Sequence, residues 1–210
     1  MHEILNDLNW RYATKRFDPS QKLDSATLYI IQEALRLAPS SYGLQAVKYL
    51  FIESPELREE LMGASFGQRP VVDASHLLVL CAYREVHPVH IDEFASNVAR
   101  TRSLHENAVE GYANFMKTSI TSRSPEETRS WTSRQVYIAL GQLLTVCAQL
   151  RVDALPMEGF NREAYGEILG LEAKNLTAVL VCPIGFRHPE DPAQFQAKVR
   201  KPLADLFEIL

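Results

Sequence analysis

The 210-residue chain has no pair of cysteines at metal-binding or redox spacing: Cys81, Cys147 and Cys182 are odd in number, far apart, and set among apolar neighbours. Without a CxxC unit there is no disulfide framework and no thiol redox pair, which leaves three buried structural thiols. No run of 18 apolar residues occurs, so no membrane span is expected. No cleavable leader opens the chain, so the expected compartment is the cytoplasm. Positive charge is also short, with Lys+Arg 22 against Asp+Glu 26, a net charge of -4 and a pI near 5.9. That balance argues against a nucleic-acid-binding surface. Neither GxGxxG nor GxxxxGK followed by Ser or Thr is present, so no Rossmann pocket and no P-loop is supported. Ser40, Asp73, Ser75 and His76 could be strung into a hydrolase triad, but no GxSxG elbow is present to carry the serine. His87-Pro88-Val89-His90, with Asp92 and Glu93, has Pro88 interrupting the register between its histidines, and no metal is assigned to it.

What is present suits one ordinary globular domain over residues 1–210, with 46% hydrophobic and 23% charged residues and no repeat or linker. At this level an α/β fold is expected. The organising stretch is Trp131 to Phe160: Val136, Ala139, Leu140, Leu143, Leu144, Val146, Cys147 and Leu150 recur at three- and four-residue spacing. A helix apolar on most of its circumference must be buried on most of it. Pro125, Glu126 and Glu127 mark a separate helix start just before it. After it, Val152 to Leu155 reads as a short buried strand. Leu77 to Ala82 and Leu176 to Phe186 read as strands covered on both faces, Val47 to Ile52 as a further strand. Short helices are expected over residues 3–9, after the N-cap Asp24 (apolar face Leu28, Ile31, Leu35, Leu37), over Pro55–Met62 and over Asn161–Leu169. Residues 88–121 read as a partly helical excursion or lid.

Three loops carry the chemistry that can be read. Trp10 to Asp18 (WRYATKRFD) sets Arg11, Lys15 and Arg16 among Trp10, Tyr12 and Phe17. Alternate basic residues on an extended segment point the same way and can grip an anion, although a solvated basic loop is the alternative. Pro39-Ser40-Ser41-Tyr42-Gly43-Leu44-Gln45 is small and polar and lets backbone approach a flat ligand, or merely ends a helix. Pro156-Met157-Glu158-Gly159-Phe160 leaves a strand end as an irregular turn whose N–H groups can face outward.

The four stretches WRYATKRFD, APSSYGLQ, ALPMEGF and KVRKP, in this order and spacing, resemble the FMN-dependent nitroreductase family, in particular its NAD(P)H-dependent oxidoreductase branch of the oxygen-insensitive nitroreductase type. The resemblance runs from about residue 8 to residue 202. It implies an α+β fold with a mixed central sheet flanked by helices, built as an intertwined homodimer whose C-terminal arms are exchanged, with FMN at the interface. It assigns Arg11 and Ala13 to the phosphate end with Lys198 and Arg200, Lys15 to the pyrimidine and ribityl side, and counts Tyr12 among the cofactor-binding residues. Pro39, Ser40 and Ser41 would come from the partner chain and pass beneath the ring, and Gln45 is counted among the cofactor-binding residues. Pro156, Met157, Glu158 and Gly159 would shape a turn offering backbone N–H groups to N5 and O4. Two departures from the family pattern stand out: Ala13 replaces a common serine, and Gly67-Gln68-Arg69-Pro70 replaces a loop that often carries Asn or Lys, leaving Gln68 as the hydrogen-bonding side chain.

The implied activity is transfer of a hydride from NADH or NADPH through flavin N5 to a nitroaromatic, quinone or similar small-molecule acceptor, by a ping-pong route. No side chain is needed as a general acid or base; Lys15, Glu158 and Gly159 tune the flavin. Two alternatives keep the same motifs: a flavin-dependent dehydrogenase or desaturase of a specific metabolite, and a flavin-binding protein without turnover.

Overall fold

A computed structural model describes residues 2–105 and 107–210. Its centre is a four-stranded sheet of β1 (Val47–Ile52), β2 (His76–Tyr83), β3 (Asp153–Ala154) and β4 (Leu176–Gly185), in the order β1-β2-β4-β3. All three strand pairs are antiparallel. The protein is therefore α+β, and the α/β expectation from bulk composition is corrected. The parallel part of the expected mixed sheet is a single bridge between Ala13 and Ala154.

Continuous apolar composition explains why β2 and β4 take the two inner positions. Leu78, Leu80 and Ala82 join one buried cluster while Leu77, Val79 and Cys81 join the other, so both faces of β2 are covered. On β4 the alternation slips once: Val179 and Leu180 both belong to the first cluster, where the β2 pairing skips from Leu180 to Ala178. This is a bulge, one extra residue that turns the strand without exposing its apolar side chains. At the end of β4, a Cβ on Gly185 would lie 2.7 Å from the backbone nitrogen of Ser75, so this close approach admits only glycine.

One face is covered by α2 (Ser25–Arg36) and α7 (Pro125–Gln149), through Ile31, Leu35, Val136, Ala139, Leu143 and Cys147. α7 absorbs the separate helix expected at Pro125. Ser124 and Glu127 form a capping box (Ser124 N to Glu127 Oε2 2.7 Å, Glu127 N to Ser124 Oγ 3.2 Å), and no breaker follows before Trp131. The other face packs α3 (Pro55–Gly63), the short α4 (Pro70–Asp73) and α8 (Arg162–Ile168), with Leu61, Val71 and Tyr165 buried. Leu37, expected on the apolar face of α2, is 63% exposed as its C-cap.

The expected excursion is a pair of helices, α5 (Pro88–Thr101) and α6 (Asn107–Thr121), with a core of its own: Ile91, Ala95, Ala113, Met116 and Ile120 close on Trp131. His87 and His90 are joined at the start of α5, His87 N donating to His90 Nδ1 at 3.0 Å. The chain begins with α1 (Glu3–Trp10) and ends with a tail whose Val199, Leu203, Leu206, Phe207, Ile209 and Leu210 are all exposed. Burial pushes the Cys81 and Cys147 thiols up to about 12, and Cys182 further still.

Candidate functional site

The Ala13–Ala154 bridge lays the WRYATKRFD segment along β3, two residues before Pro156. The basic strip and the donor turn are thus neighbours through backbone pairing. Arg11, Tyr12, Ala13, Lys15, Lys198 and Arg200 line one open cavity of about 380 Å3. Among the described residues none of its cations has a carboxylate partner. Lys198 Nζ donates to the carbonyls of Leu8 and Arg11, tying down the C-terminus of α1, and Arg200 Nη1 donates to its neighbour Val199 O at 2.6 Å. Burial, then the charge of Arg200, lowers the Arg11 pKa; burial, then Arg11 and Arg200, lowers that of Lys198. Groups that repel one another in this way are stabilised together by an anion between them.

The turn presents two donors rather than three. Met157 N is committed to Val181 O at 2.8 Å, in a bridge that returns through Val181 N to Met157 O. The N–H groups of Glu158 and Gly159 make no hydrogen bond among the described residues. Gln68 braces the turn, donating Nε2 to Gly159 O (2.8 Å) and Ser65 O (3.1 Å), which leaves its Oε1 for another donor. A Cβ on Gly159 would meet only Gln68 Nε2, at 3.8 Å. From α7, Tyr137 Oη donates to Glu158 Oε1 at 2.5 Å, and this bond is the first cause of the raised Tyr137 pKa. The Glu158 side chain is therefore held against the helix.

The Pro39–Gln45 loop is stiffened by left-handed backbone at Tyr42 (φ 60) and Gln45 (φ 50). Gln45 donates its N to Ser40 Oγ and its Nε2 to Arg36 O, acting as an internal brace. Ser41 N donates to Gln135 Oε1 at 2.8 Å. Gln135 and Tyr137 are two residues apart on α7, about 200° around the helix axis. Within one chain, then, the Ser41 loop and the Glu158 turn hold opposite sides of α7.

Two buried acids had no signal in the sequence. Asp191, fully buried, accepts from Tyr12 Oη (3.0 Å), Lys15 N (2.8 Å), Arg16 N (3.2 Å) and Ala193 N (3.0 Å), and so shapes the basic strip. Burial pushes its carboxyl up, but these hydrogen bonds prevail and leave it below the ordinary aspartate value. Asp153 accepts from Thr14 Oγ1 and chelates Arg187, whose guanidinium lies 4.1 Å from the Trp10 ring centre and 4.6 Å from that of Tyr12. Nothing near residue 191 or 153 in sequence announces either contact, although Asp-Pro-Ala does read as a short helix cap.

This arrangement, a basic strip paired to the strand that feeds a turn with two amides unbonded among the described residues, has the chemistry that a flat ligand with an anionic tail would need. The family model described as the Nitroreductase family matches residues 8–186. A protein of Staphylococcus haemolyticus that carries the name NAD(P)H nitroreductase is 33% identical, over 98% of this chain and 96% of its own. The major NAD(P)H-flavin oxidoreductase of Aliivibrio fischeri is 32% identical over 100% and 99%. A structure of a nitroreductase from Exiguobacterium sibiricum in complex with FMN superposes with a TM-score of 0.84, at 20% identity, over 100% of this chain and 98% of that one. This chain belongs to the nitroreductase family.

Proposed function

We propose that this protein is an FMN-dependent NAD(P)H oxidoreductase that works as a homodimer and reduces a nitroaromatic, quinone or similar small molecule. Its compartment in this reading is the cytoplasm. The observation that carries the proposal is the cluster of Arg11, Lys198 and Arg200, without an ion pair among the described residues, on a segment that pairs through Ala13 with Ala154 and so with the strand leading to the free amides of Glu158 and Gly159. The residues fit the cofactor: a monoester phosphate suits the cluster, and the open space at Gly159 suits a ring edge. When bound, FMN supplies the two-electron relay between the reduced nicotinamide and the acceptor.

The protein's own residues do the rest. Arg11 and Arg200 hold the phosphate by charge-assisted hydrogen bonds, and the charge of Lys198 supports them. Lys15 brings a positive charge to the same cavity, where it favours negative charge on the reduced ring. Glu158 N and Gly159 N donate to the polar ring edge, with Met157 and Pro156 fixing the turn. Pro39, Ser40 and Ser41 serve the partner's ring. Support for that last point comes from their place on the far side of α7 from their own chain's donor turn, and support for the dimer from the exposed apolar tail. Reductant and acceptor use one open face in turn, which is a ping-pong order.

The test is spectroscopic. The isolated protein should be yellow, release FMN on denaturation, bleach with NADPH or NADH without oxygen, and recolour when a nitroaromatic or quinone is added. A flavin that stays oxidised under excess NADH and NADPH would make the protein a binder without this turnover.

A further inference from the structure

On the Ser41 side of α7 lies a second cavity, of about 600 Å3, whose walls include Ser41, Arg123, Glu127, Trp131 and Arg134. Arg123 sits on the turn between α6 and α7, and its guanidinium carbon is 4.3 Å from the centre of the Trp131 ring. Trp131 is itself 9% exposed and packed edge-on against Tyr42. Arg123 Nη1 is buried with no hydrogen-bond partner, and the guanidinium forms no ion pair among the described residues. Glu127, the carboxylate of the cavity, is committed to Ser124 N at 2.7 Å as part of the helix cap. Among the described residues Arg134 bonds only to Ser130, at 3.2 Å and 3.3 Å. Two guanidinium groups thus face one occupied carboxylate.

A buried N–H without an acceptor is costly, and a guanidinium set on a ring face, whose neighbouring carboxylate Glu127 feels its charge but accepts no hydrogen bond from it, keeps its donors for a ligand. The loop that supplies Ser41 to this cavity is the one read above as lying beneath the partner's flavin. We propose that Arg123, set on Trp131, binds the anionic group of a flat substrate and so makes this oxidoreductase selective for anionic over neutral partners of similar shape. The inference rests on the flavin-oxidoreductase reading, because it places the cavity beside a redox site. The anion is a carboxylate on the acceptor or a phosphate on the reductant. The guanidinium fork suits both, and the flat stem of either can stack on its open face.

The test compares the FMN-loaded wild type with Arg123→Gln. With 4-nitrobenzoate and 4-nitrobenzyl alcohol as matched acceptors, the substitution should lower the anionic-to-neutral ratio of kcat/KM by on the order of ten- to a hundredfold. If the NADPH-to-NADH ratio falls by that factor instead, the anion is the reductant's phosphate and Arg123 keeps its role. Arg123→Lys should restore part of either ratio. Both ratios unchanged would overturn the proposal. A second measurement needs no turnover: benzoate should change the tryptophan emission of the holoprotein with a Kd that Arg123→Gln raises about tenfold or more. Trp131→Phe should abolish that response. If the wild type is not bleached by either nicotinamide, the oxidoreductase reading fails by itself, and the benzoate titration still decides whether Arg123 is an anion site.

Discussion

Asp191→Asn changes one atom and should loosen the whole basic strip. In the wild type, one carboxylate oxygen accepts from Tyr12 Oη, Lys15 N and Arg16 N, and the other from Ala193 N. An asparagine can keep its carbonyl toward the three donors, but its NH2 group then confronts the Ala193 N–H. Three charge-assisted bonds become neutral ones, at about 1 kcal/mol each, and a cap worth about 1 kcal/mol is lost. Easier burial of the uncharged amide offsets part of this, so about 2–4 kcal/mol of stability should disappear. For a chain of this size that is a fall in Tm of roughly 5–15 °C. The pH dependence is specific. The folded carboxyl lies below its ordinary value of 3.8, so its contribution is complete above that value and is lost as pH falls through the folded pKa. The gap in Tm between wild type and Asp191→Asn should therefore be constant from about pH 5 upward and narrow in acid. FMN titrations, read by flavin fluorescence, should show weaker binding in the variant, because Lys15 and Arg11 lose their alignment. A Tm within about one degree of wild type at neutral pH, with FMN affinity unchanged, would refute the assignment of Asp191 as the residue that shapes the site.

Three further outcomes are expected. Arg200→Ala should weaken FMN by roughly ten- to a hundredfold, and unchanged affinity by titration would remove Arg200 from the phosphate site. In the turn, Glu158→Gln should leave the bleaching rate within a few-fold, whereas Gly159→Pro deletes a free donor and should cost on the order of a hundredfold in stopped flow with NADPH; the reverse order would make the carboxylate the working group. Deleting Leu203 to Leu210 removes exposed Leu203, Leu206, Phe207, Ile209 and Leu210 and should weaken the dimer and flavin retention together, so a stable flavin-loaded monomer in sedimentation would contradict the arm's role.

The parts of the fold that follow from local periodicity were legible. β2 and β4 announce themselves as apolar runs because two covered faces leave no place for a polar residue, and Asp24 caps α2 as its sequence suggests, its Oδ1 accepting from Thr27 N. The merger at Pro125 was not legible from apolar spacing, since a proline at N1 starts a helix without showing how far it runs; the capping box at Ser124 fixes the start, and the lack of a breaker before Trp131 lets the helix continue. Pairing direction was also hidden, because a run such as Leu77–Ala82 is equally apolar in either kind of sheet. At the site, the basic strip and the turn could be read from residue types, but their adjacency depends on the Ala13–Ala154 bridge, which joins segments far apart in the chain. Met157 was expected to offer its amide, and tertiary pairing with Val181 takes it. Asp191 and Arg58 were missed for one reason. Each answers donors or carbonyls that only the folded chain assembles, as when Arg58 gathers the carbonyls of Val71, Ala74 and Ser75.

The placement of Gln135 and Tyr137 on opposite sides of α7 has a genetic consequence. In the proposed homodimer each copy of the chain would lend its Ser41 loop to one redox centre and its Glu158 turn to the other, so lesions in the two halves would fall in different centres. A heterodimer with Gly159→Pro in one copy and a crippled Ser41 loop in the other would collect both defects in a single centre and leave the second wholly intact. Two inactive homodimers, dissociated and mixed, would thereby regain activity, approaching half that of the wild type in each mixed pair.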